Sequence, residues 1–183
     1  MKVNSYKGSE IFFTSDLHFS HEKILSYCAR PYKTPEEMNA AIILNWNAVV
    51  KPTDTVFVLG DVSFDKDPKK TLWLMNCLNG TIHLVRGNHD EHLDDNFWLQ
   101  RVSSVSSLSE IKVDGKNVVL CHFPMMSWNK SHRGSWQLFG HMHGAIPDPK
   151  DRFHMDVGVD TNAMRPYSWD EIKARMATKK VTL

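Results

Sequence analysis

The sequence predicts an α/β protein in which helices pack outside a sandwich of β-sheets. In the first half of the chain, short apolar and β-prone runs alternate with helix-like segments. In the second half, strand-like runs follow one another and include a hairpin signal. Five of the predicted strands end in residue types that commonly bind metal ions. This order of elements is typical of a sheet sandwich with its helices outside.

Three buried strands are predicted in the first half, at residues 11–15, 55–59 and 81–85. Each is a short run of mostly apolar residues, as expected of a strand whose two faces are both covered. Each leads into a polar segment that contains Asp16, Asp61 or Asn88.

Three helices are predicted in the same half. A short one covers residues 21–28. A longer one has Thr34 as its N-cap, Pro35 at its first position and Glu37 closing a capping box, and it ends near residue 50. The third spans residues 67–78. Its apolar side is expected to consist of Leu72, Trp73, Met75 and Leu78.

The second half is predicted to be mostly strands. The serine-rich residues 103–110 are expected to form a loop or an edge strand. Asp114 and Gly115 are a turn signal between two arms of a hairpin, the second of which runs into His122. Further strands are predicted at residues 136–139 and 153–159. A capping box formed by Ser168 and Glu171 then opens a last helix that ends near residue 177.

Length and composition indicate one domain over residues 1–183, large enough to bury a core without disulfides. The 22 Lys and Arg residues nearly balance 21 Asp and Glu, which argues against a large non-specific nucleic-acid surface but leaves room for a local phosphate pocket. Three widely spaced cysteines predict a reducing compartment. With no signal-peptide core at the start and no apolar stretch long enough to span a bilayer, we expect a cytoplasmic protein that does not contact membranes.

Metal-ligand residues follow five predicted strands. The segments are Asp16-Leu17-His18, Gly60-Asp61, Gly87-Asn88-His89-Asp90, Cys121-His122 and Gly140-His141-Met142-His143. In open α/β sheets, ligands bind beyond the carboxyl ends of the strands, so these segments are expected to converge on one rim. Their mixed nitrogen and oxygen donors suit Mn, Fe, Co, Ni or Zn.

The spacing within two segments also predicts convergence. In Asp16-x-His18 and His141-x-His143, an extended chain would place both side chains of a pair on the same face. Two metal ions about 3.5–4 Å apart need a shared ligand, and a carboxylate serves well. Asp61, the single carboxylate at the end of the middle strand, is the expected bridge.

These five segments, taken in order over residues 16–143, resemble the calcineurin-like metallophosphoesterase family. All five are present, and none departs from the family pattern. The resemblance implies a four-layer α/β/β/α sandwich of two mixed sheets flanked by helices. It implies one metal ion held by Asp16, His18, Asp61 and His143, and a second held by Asp61, Asn88, His122 and His141.

The resemblance also implies hydrolysis of a phosphate mono- or diester by a hydroxide that bridges the two metal ions. Mn²⁺ is expected to be the most effective activator in vitro. His89 is expected to act as general acid or transition-state stabiliser. Asp90 is expected either to be the partner of His89 in the catalytic pair or to hold that histidine in place structurally. Candidate substrate contacts are Asn88, Arg86, His132 and Arg133, the last two in the polar loop at residues 127–134.

A chain of this size has little room for a cap domain, so the cleft is expected to be open to a small substrate or an exposed phosphodiester. Phosphodiesters and nucleotide-type substrates, including a nucleic-acid end, are slightly favoured over monoesters. The alternative is a non-catalytic metal-binding scaffold or interaction module on the same fold. Retention of every ligand and of His89 argues for the enzyme. The oligomeric state stays open.

Overall fold

A computed structural model describes residues 3–147 and 149–181; the outermost ends of the expected domain lie outside these ranges. Ten strands occur in the described part: β1 (Asn4–Tyr6), β2 (Ile11–Thr14), β3 (Thr55–Val58), β4 (Thr81–Val85), β5 (Ser104–Ser106), β6 (Ser109–Val113), β7 (Lys116–Leu120), β8 (Trp136–Phe139), β9 (His154–Asp156) and β10 (Tyr167–Ser168). The helices described there are α1 (Ile24–Tyr27), α2 (Pro35–Val49), α3 (Pro68–Asn76), α4 (Asp95–Trp98) and α5 (Trp169–Ala177).

The strands form two mixed sheets of five strands each. One has the order β10-β2-β3-β4-β5, with β2 to β5 parallel and β10 antiparallel at the edge. The other has the order β1-β6-β7-β8-β9, in which β6 and β7 are an antiparallel hairpin and the other pairs are parallel. With helices flanking the two sheets, the predicted α/β sandwich is confirmed.

Two hydrophobic clusters hold these layers together. The inner faces of both sheets share one cluster, to which α5 adds Trp169, Ile172 and Met176. The second cluster lies between α2, α3 and the outer face of the sheet that contains β3, and it includes the fully buried Trp46. Burying apolar side chains stabilises the fold by about 25 cal/mol per Å² removed from water. The two clusters therefore keep the strand ends, and the loops that follow them, in fixed relative positions.

Local signals in the sequence predicted several helix starts correctly. The Thr34 side chain accepts a hydrogen bond from Glu37 N at 3.2 Å, and Pro35 begins α2. Glu37 does not close the predicted capping box, because its Oε2 atom accepts from Lys33 N at 2.9 Å. Ser168 and Glu171 form the predicted capping box of α5. Asp67 caps α3 by accepting from Lys69 N at 2.9 Å, so that helix begins one residue later than predicted.

The predicted apolar side of α3 was wrong for Trp73, which is 62% exposed. The buried stripe of this segment consists of Thr71, Leu74, Met75 and Leu78. These positions follow the i, i+3, i+4, i+7 spacing of one helical face, and Trp73 lies off that face.

Two other elements have boundaries that differ from prediction. The first short helix covers Ile24–Tyr27 alone, and the last strand before α5 in the second sheet covers only His154–Asp156. The serine-rich segment forms the edge strand β5 and the start of β6, which agrees with one of the two predicted alternatives. Within the described ranges, no helix is long and apolar enough to cross a membrane.

Candidate metal centre

Parallel pairing brings the five ligand segments to one edge of the sandwich. Thr14, Val58 and Leu84 are paired across β2, β3 and β4, so the loops carrying Asp16, Asp61 and Asn88 leave that sheet side by side. In the second sheet Leu120 pairs with Leu138, and the loops after β7 and β8 carry the three remaining histidines, His122, His141 and His143.

The backbone at these loops is left-handed at five of the seven candidate ligands. The φ angles are 59° at Asp16, 51° at His18, 55° at Asp61, 68° at His141 and 49° at His143. Asp and His tolerate this region better than most residues, but each such position still costs on the order of 1–3 kcal/mol. The expectation of an extended chain at Asp16-x-His18 and His141-x-His143 was therefore wrong. Sharp turns aim these side chains inward.

Two glycines let the loops approach each other. A Cβ on Gly87 would lie 2.2 Å from Asp61 Oδ1. A Cβ on Gly140 would lie 1.9 Å from Ser15 Oγ and 2.5 Å from Asp16 Oδ2. Any larger residue at either position would push a candidate ligand out of place.

The first group of potential metal ligands consists of Asp16, His18 and His143, whose ligand atoms lie within 4.8 Å of one another. His18 Nε2 is 3.8 Å and His143 Nε2 is 3.9 Å from Asp16 Oδ1. Asp16 Oδ1 and His18 Nε2 are buried and have no hydrogen-bond partner among the described residues. Buried polar atoms without a partner are costly, so a cation between them would relieve the cost.

The second group consists of Asp61, His122 and His141, again within 4.8 Å. His122 Nδ1 lies 2.6 Å from the carbonyl oxygen of Leu59, which can only accept a hydrogen bond. The proton of the neutral ring is therefore on Nδ1, and Nε2 presents a lone pair. That lone pair faces two more acceptors, Asn88 Oδ1 at 3.1 Å and Asp61 Oδ2 at 3.5 Å. Three converging acceptors fit a cation.

Asp61 lies between the two groups. Its Oδ2 atom is 3.5 Å from His122 Nε2 and 3.6 Å from His18 Nε2, and these two rings belong to different groups. Its Oδ1 atom accepts a hydrogen bond from His89 N at 3.0 Å. The Asp61 carboxylate thus faces both groups of candidate ligands, and it also binds the loop after β4 through His89 N.

Electrostatics favour the protonation states that ligands need at Asp16, His18 and His141. Burial raises the pKa of Asp16, but interactions with His18 and His143 outweigh it, and the pKa is lowered overall. Burial lowers the pKa of both His18 and His141, which keeps these imidazoles neutral. A carboxylate and neutral imidazoles are the forms that bind divalent cations.

His89 is exposed beside this cluster and belongs to neither group of ligands. Its ring centroid is 4.4 Å from that of Phe64 and 6.0 Å from that of His18. Phe64 in turn stacks on His21 at 3.8 Å. The imidazole of His89 therefore has an aromatic support on one side and access to solvent.

The structure places Asp90, the expected partner of His89, away from the cleft. It is completely buried and accepts hydrogen bonds from Asp61 N at 2.8 Å, Val62 N at 2.9 Å and Gly87 N at 2.8 Å. Its carboxylate ties the loop after β3 to the loop after β4. The geometry supports a positioning role for Asp90 rather than contact with reacting atoms.

Replacing Asp90 by Ala is expected to lower the free energy of unfolding by about 3 kcal/mol or more, because three buried amides lose their acceptor at about 1–3 kcal/mol each. Urea denaturation of the metal-free protein measures the change. Asp67→Ala, which removes one exposed helix cap, is the control and should cost about 1 kcal/mol. Equal losses in the two variants would contradict the assignment.

Three of the expected substrate contacts, Arg86, His132 and Arg133, lie outside the ligand cluster. The Arg86 guanidinium donates to the carbonyl oxygens of Asp90 and Leu93, both at 3.0 Å, and forms an ion pair with Asp95. It therefore braces the loop after β4. His132 and Arg133 are exposed on a 3-10 turn, Ser131–Arg133, and none of the contacts found in the described ranges joins their side chains to the candidate ligands. Of the predicted substrate contacts, the structure brings only Asn88 into the cluster.

Two features escaped the sequence analysis. The first is Asp160, whose Oδ2 atom lies 2.7 Å from His143 Nδ1. The second is Phe123, which is 45% exposed and has its ring centroid 4.8 Å from that of His141. Asp160 lies 17 residues beyond His143 in no recognisable motif. For the second feature, the available sequence signal was a phenylalanine directly after the candidate ligand His122.

Comparisons with known proteins agree with the family resemblance and with the fold. A family model described as calcineurin-like phosphoesterase matches residues 9–145. An uncharacterized protein of Methanocaldococcus jannaschii is 36% identical over 179 residues, covering 94% of each chain. The Gene 66 protein of Mycobacterium phage L5 is 28% identical and covers 90% of this chain and 92% of its own. The crystal structure of a protein of unknown function from Aquifex aeolicus has a TM-score of 0.69 at 23% identity, covering 90% of this chain and 98% of that chain.

Proposed function

Because this chain belongs to the calcineurin-like phosphoesterase family and is a metal-dependent phosphoester hydrolase, we propose that it works with two divalent cations that share Asp61. One cation is held by Asp16, His18, Asp61 and His143. The other is held by Asp61, Asn88, His122 and His141.

The position of Asp61 carries this proposal. Its Oδ2 atom faces His18 Nε2 and His122 Nε2 at nearly equal distances, 3.6 and 3.5 Å. When His122 has its proton on Nδ1, His122 Nε2 and Asp61 Oδ2 are both acceptors, so no hydrogen bond can join them. Two cations sharing one carboxylate oxygen would satisfy them, and such pairing is common in hydrolases with ions about 3.5–4 Å apart. Manganese suits the mixed nitrogen and oxygen donors.

When bound, such a cation pair supplies a water of lowered pKa as nucleophile and offsets charge on the phosphoryl oxygens. The residues of this chain do the rest. Asp16 and Asp61 contribute two negative charges in a buried site, and His89 N–H bonding to Asp61 Oδ1 holds the His89 loop beside the ligands. The exposed His89 imidazole is the group that gives a proton to the departing alkoxide.

The surroundings of the cleft support a substrate with an aromatic or nucleoside group. The Phe123 ring lies beside His122 and His141, with ring centroids 5.0 and 4.8 Å away. The buried Gln137 binds the backbone here: its Nε2 donates to Phe123 O at 3.0 Å, and its Oε1 accepts from Met125 N at 3.2 Å. An exposed aromatic ring beside the candidate ligands offers a surface on which a base or aryl group can stack. We therefore favour phosphodiesters and nucleotide-type substrates.

A substrate panel tests the function. Protein stripped of metal with a chelator is reloaded with Mn²⁺, Co²⁺, Ni²⁺ or Zn²⁺ and assayed on p-nitrophenyl phosphate, bis(p-nitrophenyl) phosphate, a cyclic nucleotide and a methyl phosphodiester. We expect metal-dependent turnover, highest with Mn²⁺ and with the aryl and nucleotide diesters. The chelated protein and Mn²⁺ in buffer are the controls. No turnover of any substrate with any metal would contradict the proposal.

A further inference from the structure

We propose that Asp160 and Arg30 are positioning residues that hold the His143 ring in the orientation needed to bind a divalent cation through Nε2. This inference rests on the proposed function, because it concerns one of the two cation sites described above.

The contact between Asp160 and His143 sets the tautomer of the imidazole. His143 Nδ1 lies 2.7 Å from Asp160 Oδ2. A carboxylate can only accept here, so Nδ1 carries the proton and Nε2 carries the lone pair. Nε2 faces Asp16 Oδ1 at 3.9 Å, inside the first group of ligands. A carboxylate on the far nitrogen also makes a metal-binding histidine more basic.

Arg30 fixes the carboxylate in turn. Its Nε donates to Asp160 Oδ1 at 2.7 Å and its Nη2 to Oδ2 at 2.7 Å. The two side chains are 0% and 6% exposed, so this forked ion pair is shielded from water. These two contacts fix the position of the carboxylate that accepts from His143.

The same guanidinium also binds the loop that carries two other ligands. Arg30 Nη2 donates to Asp16 O at 2.8 Å, and Nη1 donates to Leu17 O at 3.0 Å. The segment with Asp160 is joined to that loop independently, because Val159 N donates to Ser15 O at 3.0 Å. Arg30 thus links the loop of Asp16 and His18 to the carboxylate that orients His143.

A third cation site is the competing interpretation, since Cys28, His143 and Asp160 also lie within 4.8 Å of one another. Arg30 argues against it. Its positive charge already binds both oxygens of Asp160, and a second cation there would be repelled and would break a charge-assisted pair. Arg30 and Asp160 are therefore better explained as a pair that orients the His143 ring.

The test compares Asp160→Asn with Glu171→Gln. Glu171 forms a similar forked pair with Arg165, at 2.6 and 3.2 Å, on α5. Calorimetric titration of the metal-free proteins with Mn²⁺ is expected to show two ions on wild type and on Glu171→Gln. In Asp160→Asn, one of the two ions should bind about 10–100-fold more weakly, as for other residues that support a metal-binding histidine. Two ions at wild-type affinity in Asp160→Asn would overturn the inference.

A double-mutant cycle separates orientation of His143 from general support of the fold. If Asp160 acts through His143, Asp160→Asn should not weaken Mn²⁺ binding further in a His143→Ala background. An equal loss in both backgrounds would overturn the inference. The proposed function fails differently, because wild-type protein would then bind fewer than two ions.

Discussion

Replacing Asp61 by Ala is expected to abolish hydrolysis of both mono- and diesters with every metal. Asp61 Oδ2 faces both His18 and His122, so both proposed cation sites would lose a ligand at once. Metal ions supply several kcal/mol of transition-state stabilisation, and a loss of about 4 kcal/mol lowers kcat/KM about 10³-fold. The His89 loop also loses the acceptor of its backbone N–H. Steady-state assays at saturating Mn²⁺ measure the effect.

Two companion variants make this prediction specific. Asp61→Asn retains an oxygen for His89 N but has no negative charge to share, so we expect it to be nearly as inactive. Asp65→Asn removes a different carboxylate from the same loop. In the wild type, that carboxylate pairs with Lys70 at 2.9 Å. Asp65→Asn should keep wild-type activity. Retained activity in Asp61→Ala would mean that the proposed ligand assignment is wrong.

Replacing His89 by Ala is expected to lower kcat about 10²–10⁴-fold on substrates with poor leaving groups, as is usual for the loss of a general acid. The loss should be much smaller for p-nitrophenyl esters, because that leaving group departs without a proton. Mn²⁺ stoichiometry should stay at two, since the His89 ring belongs to neither group of ligands.

The measurement is kcat over a series of esters with leaving groups of increasing pKa, for wild type and His89→Ala. A steeper dependence in the variant identifies proton donation. His92→Gln is the control, because the His92 ring lies 2.8 Å from the backbone oxygen of His89 and belongs to neither group of candidate ligands in the described residues. Parallel slopes for wild type and His89→Ala would exclude a general-acid role.

Local signals in the sequence were sufficient for much of the fold. Thr34, Pro35 and Ser168 mark helix starts that the structure confirms, because capping is satisfied within one turn of chain. The strands β2, β3 and β4 could be predicted as buried because each is a short, mostly apolar run, which is also a local property of the chain. Trp73 was misassigned because its exposure depends on which face of α3 meets the sheet.

Side-chain roles within the site were less predictable. The segment of residues 86–90 contains Arg86, Asn88, His89 and Asp90. Its sequence alone does not show which side chains bind a metal ion and which only support the loop. Asp90 binds three buried amides and Arg86 binds two backbone carbonyls and Asp95. Both outcomes depend on where the loop after β3 lies relative to the loop after β4.

The sequence by itself determined the family, the fold class and the chemical character of the site. Residue types, their order and their place after apolar runs suffice for these, because they are local properties of the chain. Only the tertiary structure decided how the donors converge. Left-handed turns at Asp16, His18, Asp61, His141 and His143 aim the ligands inward. Arg30 and Asp160 meet across 130 residues, a pairing that depends on packing of distant segments.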